Sequence, residues 1–332
     1  KNHDHRRVWI VDRVKQLAGV FAIDVAAYAV MSNHYHLVLR VDAERAMGWS
    51  NEEVLRRWTQ LFDGPMLVQR LLSGQGSEMD QATLDAIGEW TATYRSRLCD
   101  LSWFMRILNE TVARQANAED KVTGRFWEGR FKSQALLDEQ AILTAMTYVD
   151  LNPIRAKIAD TPEESEHTSV AERMAALKPS DEQATKAETS REPATAATVP
   201  PCVASGVTAI HTLRQETHLA ALPLQPLLTF DGTNRLRAAI PFSFEDYLDL
   251  VETTGRCLHP DKRGLIAERV PKLLQRLGIE PERFIDCTTN LMKQFGSAVG
   301  APAHLTELCA QRQVKYLRGI SAARGAFGQK AA

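Results

Sequence analysis

The most regular pattern of hydrophobic and polar positions lies in residues 28–40. Two runs of β-branched, aromatic and other apolar residues flank a central Ser-Asn pair, which predicts a β-hairpin that ends near Val41. Because side chains alternate between the two faces of a strand, His34 and His36 are predicted to share one face. Tyr35 lies between them and is predicted to point the other way, into the core.

Helical periodicity surrounds the predicted hairpin. Apolar residues recur every three or four positions, and a residue able to cap a helix precedes several of the segments. The last predicted helix must end or bend at the Asn152-Pro153 step, because proline disfavours helical geometry in the residue before it. Tyr148 and Asn152 lie four residues apart and therefore share one face at the end of that helix. The predicted helices lie at about 5–18, from a Ser50 capping box onward, at 80–98, at 102–117 and at 139–151.

Composition changes after these helices. From about residue 160 to 205 the chain is rich in Ala, Thr, Glu, Ser and Pro and poor in large apolar residues, as is typical of a flexible linker. Helical periodicity returns between Phe242 and Phe327. The sequence therefore predicts three parts: a domain at 1–160, a flexible linker at 161–205 and a mostly α-helical C-terminal domain at 206–332.

Overall composition is that of an ordinary folded protein, with 332 residues, 44% hydrophobic and 24% charged. No apolar run is long enough to cross a bilayer, and no secretory signal is visible. The five cysteines are widely spaced and never form a Cys-x-x-Cys pair, so they are predicted to be reduced thiols of a cytoplasmic protein. The net charge of -1 argues against a sequence-indifferent DNA coat but not against a small basic site.

Two histidines on one strand face are the first candidate for chemistry. Neutral imidazole is a common metal ligand, and a strand holds two ligands at a fixed spacing. Taken alone, His34 and His36 also fit an ordinary pair of surface or hydrogen-bonded histidines. A second pair, His3 and His5, lies near a helix start, where the two side chains diverge around the axis. This second pair is interpreted as solvated.

The second candidate is the segment 124–132, which interleaves three basic residues with three aromatic residues between glycines. Such a mixture suits single-stranded nucleic acid, because arginine binds phosphate while a flat ring stacks on an unpaired base. A strand with buried aromatic rings and a solvated basic edge fits the same residues. The candidate DNA contacts in this segment are Arg125, Trp127, Arg130 and Lys132.

Three motifs, taken in order, resemble a known family. The set is similar to the tyrosine-dependent HUH transposases, most closely to the REP-associated tyrosine transposases of bacteria. The resemblance covers roughly residues 5 to 160, and three motifs in order are more specific than any one of them. The motifs are His34-Tyr35-His36, then Gly124-Arg125-Phe126-Trp127-Glu128-Gly129-Arg130-Phe131, then Tyr148-Val149-Asp150-Leu151-Asn152-Pro153-Ile154-Arg155-Ala156.

The resemblance implies a fold and a set of residue roles. The implied fold is α+β, with a ferredoxin-like antiparallel sheet and packed helices of the HUH endonuclease type. Histidines of this motif bind a divalent metal in the family, which implies His34 and His36 as ligands of Mg²⁺ or Mn²⁺ and Asn152 as a third ligand. A helix tyrosine attacks DNA, which implies Tyr148 as the nucleophile. Arg155 joins the basic segment as an implied DNA contact.

The implied function is that of a metal-dependent single-strand DNA endonuclease and strand transferase. It cuts hairpin-forming repeat DNA through a 5′-phosphotyrosine intermediate. The implied partner is single-stranded or hairpin DNA, with no membrane, and the chain acts as a monomer or homodimer. Two alternatives stay open: a catalytically inactive, domesticated protein of the same fold that binds repeat DNA, and a metallophosphoesterase that uses water as its nucleophile.

Two further expectations concern the ends of the predicted domain. The family usually begins with a strand that carries a Tyr-His or Phe-His pair, and no such pair precedes Asp4, so the sheet is expected to lack that first strand. Every proposed chemical group precedes the linker. A chain that ends near Asp160 is therefore expected to keep its chemistry if the C-terminal part serves targeting or partner binding.

Overall fold

The structure is a computed structural model that describes residues 3–177, 212–258 and 270–327. Helices account for most of the described chain, and the strands are few and short. The elements in chain order are α1 (His5–Val20), β1 (Ile23–Val30), β2 (Tyr35–Val41), α2 (Ala43–Gly48), α3 (Asn51–Leu61), α4 (Met66–Leu72), α5 (Gln81–Leu98), α6 (Leu101–Asp120), β3 (Ala135–Leu136), α7 (Glu139–Asp150), α8 (Asn152–Arg155), α9 (Ser169–Leu177), α10 (Glu216–Ala220), α11 (Phe244–Leu258), α12 (Lys272–Leu277), α13 (Pro281–Gln294), β4 (Ala298–Val299), α14 (Pro302–Gln311) and α15 (Ile320–Ala326).

The predicted hairpin is confirmed. β1 and β2 pair in antiparallel fashion, with Val30 opposite Tyr35 at the turn end. The amide of Met31 donates to the carbonyl of His34 at 2.8 Å and closes the turn. β1 begins before the run that predicted it, and every one of its residues is buried. Because both faces of β1 are covered, the hairpin is a fixed platform for the residues at the start of β2.

The predicted helices are also confirmed, and side-chain caps fix where several of them begin. A carboxylate or hydroxyl oxygen before the first turn accepts a hydrogen bond from an amide that has no partner within the helix. α7 ends at Asp150, just before the Asn152-Pro153 step that was predicted to end it. The caps are Ser50 to the Glu53 amide at 3.1 Å, Asp80 to the Thr83 amide at 2.8 Å and Asp138 to the Ala141 amide at 2.8 Å.

The protein is α-rich, with a small antiparallel sheet and helices packed against it, which is compatible with the α+β class. In the residues that the structure describes, strands form only the β1–β2 pair, the short parallel β3–β4 pair and isolated bridges. The free edge of β1 is met by loops, since Ala29 bridges Thr168 and the Leu228 amide donates to Val25. The ferredoxin-like sheet therefore stays a prediction.

Two hydrophobic clusters meet at β1. Val25, Tyr28 and Val30 belong to the first cluster, together with α1 and α3 to α6. Ala27 and Ala29 belong to the second, together with α7 and α11 to α15. The small alanines allow α7 to pack closely on this face of the hairpin. The alternation of strand side chains thus gives one face of the sheet to each cluster.

The helices after the predicted linker pack directly on α7. Residues of α7 and of α11 to α15 form one continuous apolar cluster. β3 leads into α7 and pairs with β4, and one Asp138 oxygen accepts from the Ala301 amide at 2.6 Å. A Cβ on Gly300 would lie 2.9 Å from Leu137 Cβ, so only glycine permits this approach. The division at 160 and 205 and the expectation that a chain ending near Asp160 keeps its chemistry both stay predictions, although such a chain would lose the apolar contacts that α7 makes with α11 to α15.

Part of the predicted linker is folded, which corrects that prediction for residues 161–177. Ser169 begins α9, and its hydroxyl donates to the Asp150 carboxylate at 2.5 Å. The Val170 amide donates to the same oxygen at 3.1 Å, and the Tyr247 hydroxyl donates to the other oxygen at 2.6 Å. The low apolar content of this segment predicted a flexible linker. The segment is ordered instead by hydrogen bonds to the buried Asp150 carboxylate, which composition does not show. The remainder of the predicted linker, 178–205, lies outside the described residues.

Two expectations drawn from composition concern membranes and thiols. Among the described helices, none combines the length and the apolar character needed to span a membrane. Within the described part of the chain, Cys99, Cys257, Cys287 and Cys309 form no disulfide. Cys202 lies outside the described part of the chain.

Candidate functional site

Four residues predicted to act together do come together in space. His34 directly precedes β2, which carries His36, while Tyr148 lies at the end of α7 and Asn152 begins α8. The two imidazole centroids are 5.0 Å apart, and the His36 centroid is 5.3 Å from that of the Tyr148 ring. Asn152 Nδ2 lies 3.4 Å from His34 Nε2. The strand and the helix end thus form one compact polar group.

The register of the hairpin explains why the histidines meet α7. His36 is directly opposite Ala29, and residues directly opposite in a sheet share a face. Ala29 belongs to the face on which α7 packs. Tyr35 points to the other cluster, where its hydroxyl donates to Asn109 at 2.6 Å. Burial raises the pKa of the Tyr35 hydroxyl, which makes it a poorer nucleophile. The prediction that Tyr35 faces away from the site is confirmed.

Both histidines are held in the neutral form that a metal requires. Burial lowers the pKa of His34, and the nearby Arg155 charge adds to this effect. Burial lowers the pKa of His36 to about 4, with smaller contributions from His34 and Arg155. His34 Nδ1 lies 2.6 Å from the acceptor oxygen of Asn33. A hydrogen on Nδ1 leaves the lone pair on Nε2, so Asn33 sets His34 in the tautomer of a ligand.

Asn152 is buried, with 7% of its surface exposed, and its amide is oriented by Arg155. Arg155 Nη2 donates to Asn152 Oδ1 at 2.8 Å, and this leaves the amide nitrogen facing His34. A metal ligand would use the amide oxygen. The structure therefore places Asn152 at the site, with its ligand atom turned toward the guanidinium.

Arg155 links the site to the C-terminal helices. Its guanidinium carbon lies 3.8 Å from the centroid of the Tyr148 ring, an arrangement that gives a cation–π contact. Nη1 lies 3.3 Å from the carbonyls of Thr288 and Thr289 on α13. These carbonyls directly precede Asn290, where α13 departs from helical geometry. The sequence predicted Arg155 as a DNA contact, whereas here its guanidinium is engaged by Tyr148, Asn152 and α13.

The predicted basic and aromatic segment runs from Gly124 to Lys132 without regular structure. Arg125, Arg130 and Lys132 are exposed, and the described residues supply no carboxylate partner to any of them. Their charge is available to a ligand. Arg125 also donates to the Trp127 carbonyl at 2.9 Å, which orders the segment locally.

The aromatic residues of this segment divide between packing and exposure. Trp127 is partly buried, its indole N–H donates to the Asn109 carbonyl at 2.8 Å, and its ring meets that of Tyr35 at 5.6 Å. Trp127 thus follows the packing alternative, and its role as a DNA contact stays a prediction. Phe126 stands edge-on to Trp127 and is 37% exposed. Sequence reasoning missed Phe126, because a run of aromatic residues does not show which ring stays outside.

Asp150 is a further residue that the sequence analysis missed. It is the last residue of α7, between Tyr148 and Asn152 in the chain, and is fully enclosed, so burial raises the pKa of its carboxyl despite the hydrogen bonds from Ser169 and Tyr247. A carboxylate in an otherwise apolar helix was a visible signal. Its partner Tyr247 lies far along the chain and gave no local signal.

Outside this group, metal-ligand geometry is limited. In the described ranges, the one cluster of three or more His, Cys, Asp or Glu ligand atoms is His3, Glu119 and Asp120. Arg6 pairs with both carboxylates at 2.7 Å, and His5 contacts Glu119 at 2.6 Å. These ion pairs explain why the two carboxylates lie side by side near the start of α1.

Comparison with models of known protein families, with curated proteins and with solved structures finds no match to this chain. Function must therefore be argued from the residues of the site.

Proposed function

We propose that the chain is a metal-dependent single-strand DNA endonuclease and strand transferase that uses Tyr148 as its nucleophile. One observation carries the proposal: two neutral imidazoles at the start of β2 face a tyrosine at the end of α7 and an amide at the start of α8. The His36 and Tyr148 ring centroids are 5.3 Å apart, and Asn152 Nδ2 is 3.4 Å from His34 Nε2. This is the arrangement that the resemblance to the HUH transposases implies for residues distant in sequence. The proposed fold is the ferredoxin-like HUH plan, of which the β1–β2 pair would be the central part.

His34 and His36 are the proposed metal ligands. Both rings are uncharged, and the His34 Nε2 lone pair faces only the Asn152 amide nitrogen at 3.4 Å, which a metal ion would displace. Asn152 completes the set if its amide turns so that oxygen replaces nitrogen toward His34. Imidazole nitrogen is a softer donor than oxygen, which favours Mn²⁺ over Mg²⁺ at this site. A bound divalent ion would polarise the target phosphate and orient the 3′ oxygen.

Tyr148 is the proposed nucleophile. Its hydroxyl oxygen forms a bond to phosphorus while the bond from phosphorus to the 3′ oxygen breaks, and the proton lost by the phenol is balanced by one gained on the 3′ hydroxyl. The product is a 5′-phosphotyrosine, which conserves the energy of the broken bond for rejoining. Arg155 holds the Tyr148 ring from one side and so limits its rotation. Arg155 is therefore a positioning residue in this proposal.

Single-stranded or hairpin DNA is the proposed partner. Exposed Arg125, Arg130 and Lys132 would bind phosphates, and the exposed ring of Phe126 offers a surface on which an unpaired base can stack. A paired backbone cannot easily bring a phosphate between a strand and a helix end, so single strands are favoured. The proposal places the chain in the cytoplasm, as a monomer or homodimer.

One observation favours the alternative of a protein that binds repeat DNA without cutting it. The Asn152 oxygen is engaged by Arg155 at 2.8 Å, so the third ligand is turned away from the histidines. If this contact persists when DNA is bound, the site holds only two metal ligands. Binding through the basic segment would then continue without chemistry.

The test is Mn²⁺-dependent cleavage of a labelled single-stranded hairpin by the full chain. Tyr148→Phe is expected to abolish cleavage and keep hairpin binding, because only one hydroxyl is lost from a surface with many phosphate contacts. Tyr35→Phe is the matched control, since it removes the hydroxyl of a nearby tyrosine that points to the other cluster and donates to Asn109. Cleavage that survives in Tyr148→Phe would show a water nucleophile. Binding without cleavage in the unmodified chain would favour the non-cutting alternative.

A further inference from the structure

A second basic and aromatic surface lies in the C-terminal part of the chain. Between Cys287 and Phe327 there are five Lys or Arg residues and a single acidic residue, Glu307, although the whole chain has a net charge of -1. Four of the basic residues lie on the loop that joins α14 to α15 and at the end of α13. With the exposed Tyr316 they form what we name the C-terminal basic surface: Lys293, Arg312, Lys315, Tyr316 and Arg318.

This surface carries uncompensated positive charge. Arg312 donates to the Ser297 hydroxyl at 3.0 Å, and Arg318 donates to the carbonyl of Lys293, so both guanidinium groups are oriented by neutral acceptors. Within the ranges that the structure covers, no carboxylate pairs with any of its basic residues. Tyr316 is 63% exposed. Cations beside an open ring are the groups that bind phosphates and unstacked bases.

The loop is fixed rather than loosely attached. Gly319 adopts a φ of 115°, and a Cβ there would lie 2.5 Å from the Phe295 ring, so the backbone rests against the core. The Gly296 amide donates to the Arg318 carbonyl at 3.0 Å. Leu317 packs against the second hydrophobic cluster. Anchoring on both sides of Tyr316 lets the loop present its ring with little loss of backbone entropy on binding.

The C-terminal basic surface adjoins the catalytic group along α13. Arg155 contacts the carbonyls of Thr288 and Thr289, and Lys293 follows on the same helix. Four to five helical residues correspond to roughly 6 to 8 Å along the axis. Beyond the helix end, Gly296 contacts Arg318. A chain of direct contacts therefore runs from the Tyr148 ring to the basic loop.

The same surface adjoins the predicted DNA segment. Gln134 donates to the Gly296 carbonyl at 2.7 Å, and the Ala135 amide donates to the Ser297 carbonyl at 2.9 Å. Lys132 is three residues before Ala135, a reach of about 10 Å in an extended chain. Residues 296 and 297 thus contact both the residues that follow the basic segment and two members of the C-terminal basic surface, Arg312 and Arg318.

We infer that the C-terminal basic surface binds the single-stranded DNA that flanks the cleavage site, with Lys293 and Lys315 on phosphates and Tyr316 stacked on a base. The cleavage itself rests on the proposed function, whereas binding by this surface does not. A role in DNA binding also explains why the C-terminal helices are built onto α7, since they extend the binding path of the site that α7 carries.

The test is fluorescence anisotropy of the full chain with a labelled oligothymidylate of roughly 20 nucleotides, longer than a typical single-strand site. The variant Lys293→Ala/Lys315→Ala/Tyr316→Ala changes three exposed side chains, and its fold is checked by circular dichroism. Arg56→Ala/Arg70→Ala is the matched control, since it also removes two positive charges. These arginines lie on α3 and α4, which pack in the first hydrophobic cluster.

The triple variant is expected to bind roughly tenfold or more weakly, through lost stacking and lost phosphate contacts. The slope of log affinity against log salt should fall by about 1.4, since each single-strand phosphate contact contributes about 0.7. The control variant should match the unmodified chain. Equal binding by the triple variant would overturn the inference, and so would tighter binding of the unmodified chain to oligouridylate, which would assign the surface to RNA.

Cleavage distinguishes the two proposals. At subsaturating DNA the triple variant is expected to form the covalent adduct more slowly, in proportion to its weaker binding, whereas Arg56→Ala/Arg70→Ala should form it at the unmodified rate. If the unmodified chain binds DNA through this surface but forms no adduct, the surface is supported and the proposed chemistry fails. If the adduct forms and the triple variant binds normally, the inference fails and the proposed chemistry stands.

Discussion

The partly buried His36 predicts a specific loss of stability in mild acid. An unfolded chain takes up a proton on this imidazole near pH 6.5, whereas the folded chain resists until about pH 4, because burial disfavours the charged ring. Between these values the unfolded state binds more protons, so the free energy of unfolding falls as the pH falls. Well above pH 6.5 both states are neutral and His36 contributes nothing to the pH dependence.

The magnitude follows from the two pKa values. Each pKa unit corresponds to about 1.4 kcal/mol, so the full effect of His36 is about 3 kcal/mol below pH 4 and about 2 kcal/mol at pH 5. Other groups act in the same or the opposite direction. Burial also lowers the pKa of His34, while it raises the pKa of Asp150 and of Asp12. The total pH dependence of the protein is therefore not a measure of His36 alone.

A comparison of variants isolates the contribution of His36 to the pH dependence of the free energy of unfolding. Urea unfolding of the full chain, followed by circular dichroism with a chelator present, gives the free energy of unfolding near pH 7 and near pH 5. His36→Gln removes the titrating ring. Between pH 7 and pH 5 its free energy of unfolding is expected to fall by about 2 kcal/mol less than that of the unmodified chain. His218→Gln, which removes an exposed imidazole on α10, is the control. Equal losses in His36→Gln and the unmodified chain would refute the burial of His36 as a neutral ring.

Two further predictions concern α7. Arg155→Lys should keep the charge but lower single-turnover cleavage by about tenfold, because lysine cannot both stack flat on Tyr148 and fork to Asn152; an unchanged rate with an unchanged fold would show that the guanidinium does not position the ring. A chain that ends near Asp160 should fail to unfold cooperatively, because burial of one large apolar side chain contributes about 1.5 to 3 kcal/mol and α7 loses many such contacts against a net stability of about 5 to 15 kcal/mol. Cooperative unfolding of that fragment at the midpoint of the full chain would contradict the shared core.

Local patterns were sufficient to predict the parts that carry the site. Alternation in the strand placed His34 and His36 on one face and Tyr35 on the other. The Asn152-Pro153 step and the Asp138 cap bounded α7 and so placed Tyr148 at its end. These predictions succeeded because each depends on residues that are close in sequence. The contact between the strand and the helix end joins residues that are distant in sequence, so local patterns could not predict it. Only the family resemblance implied it.

What the sequence did not show depends on contacts between distant residues. The extent of the sheet is set by strand pairing over long separations, and the described chain pairs only β1 with β2 as a sheet of any length. The contact of Arg155 with α13 and that of Tyr247 with Asp150 join segments about 100 residues or more apart. Trp127 and Phe126 have similar apolar character, and only the position of Asn109 decides which ring is held inside.

The most direct measurement of the central claim is the location of the covalent bond to DNA. The full chain is incubated with Mn²⁺ and a labelled single-stranded hairpin, the adduct is digested with trypsin, and the modified peptide is identified by mass spectrometry. The account predicts an adduct joined through the 5′ phosphate to Tyr148, within the peptide from Ser133 to Arg155. Attachment to the peptide from Gln16 to Arg40, which contains Tyr28 and Tyr35, or cleaved DNA without any adduct would contradict it.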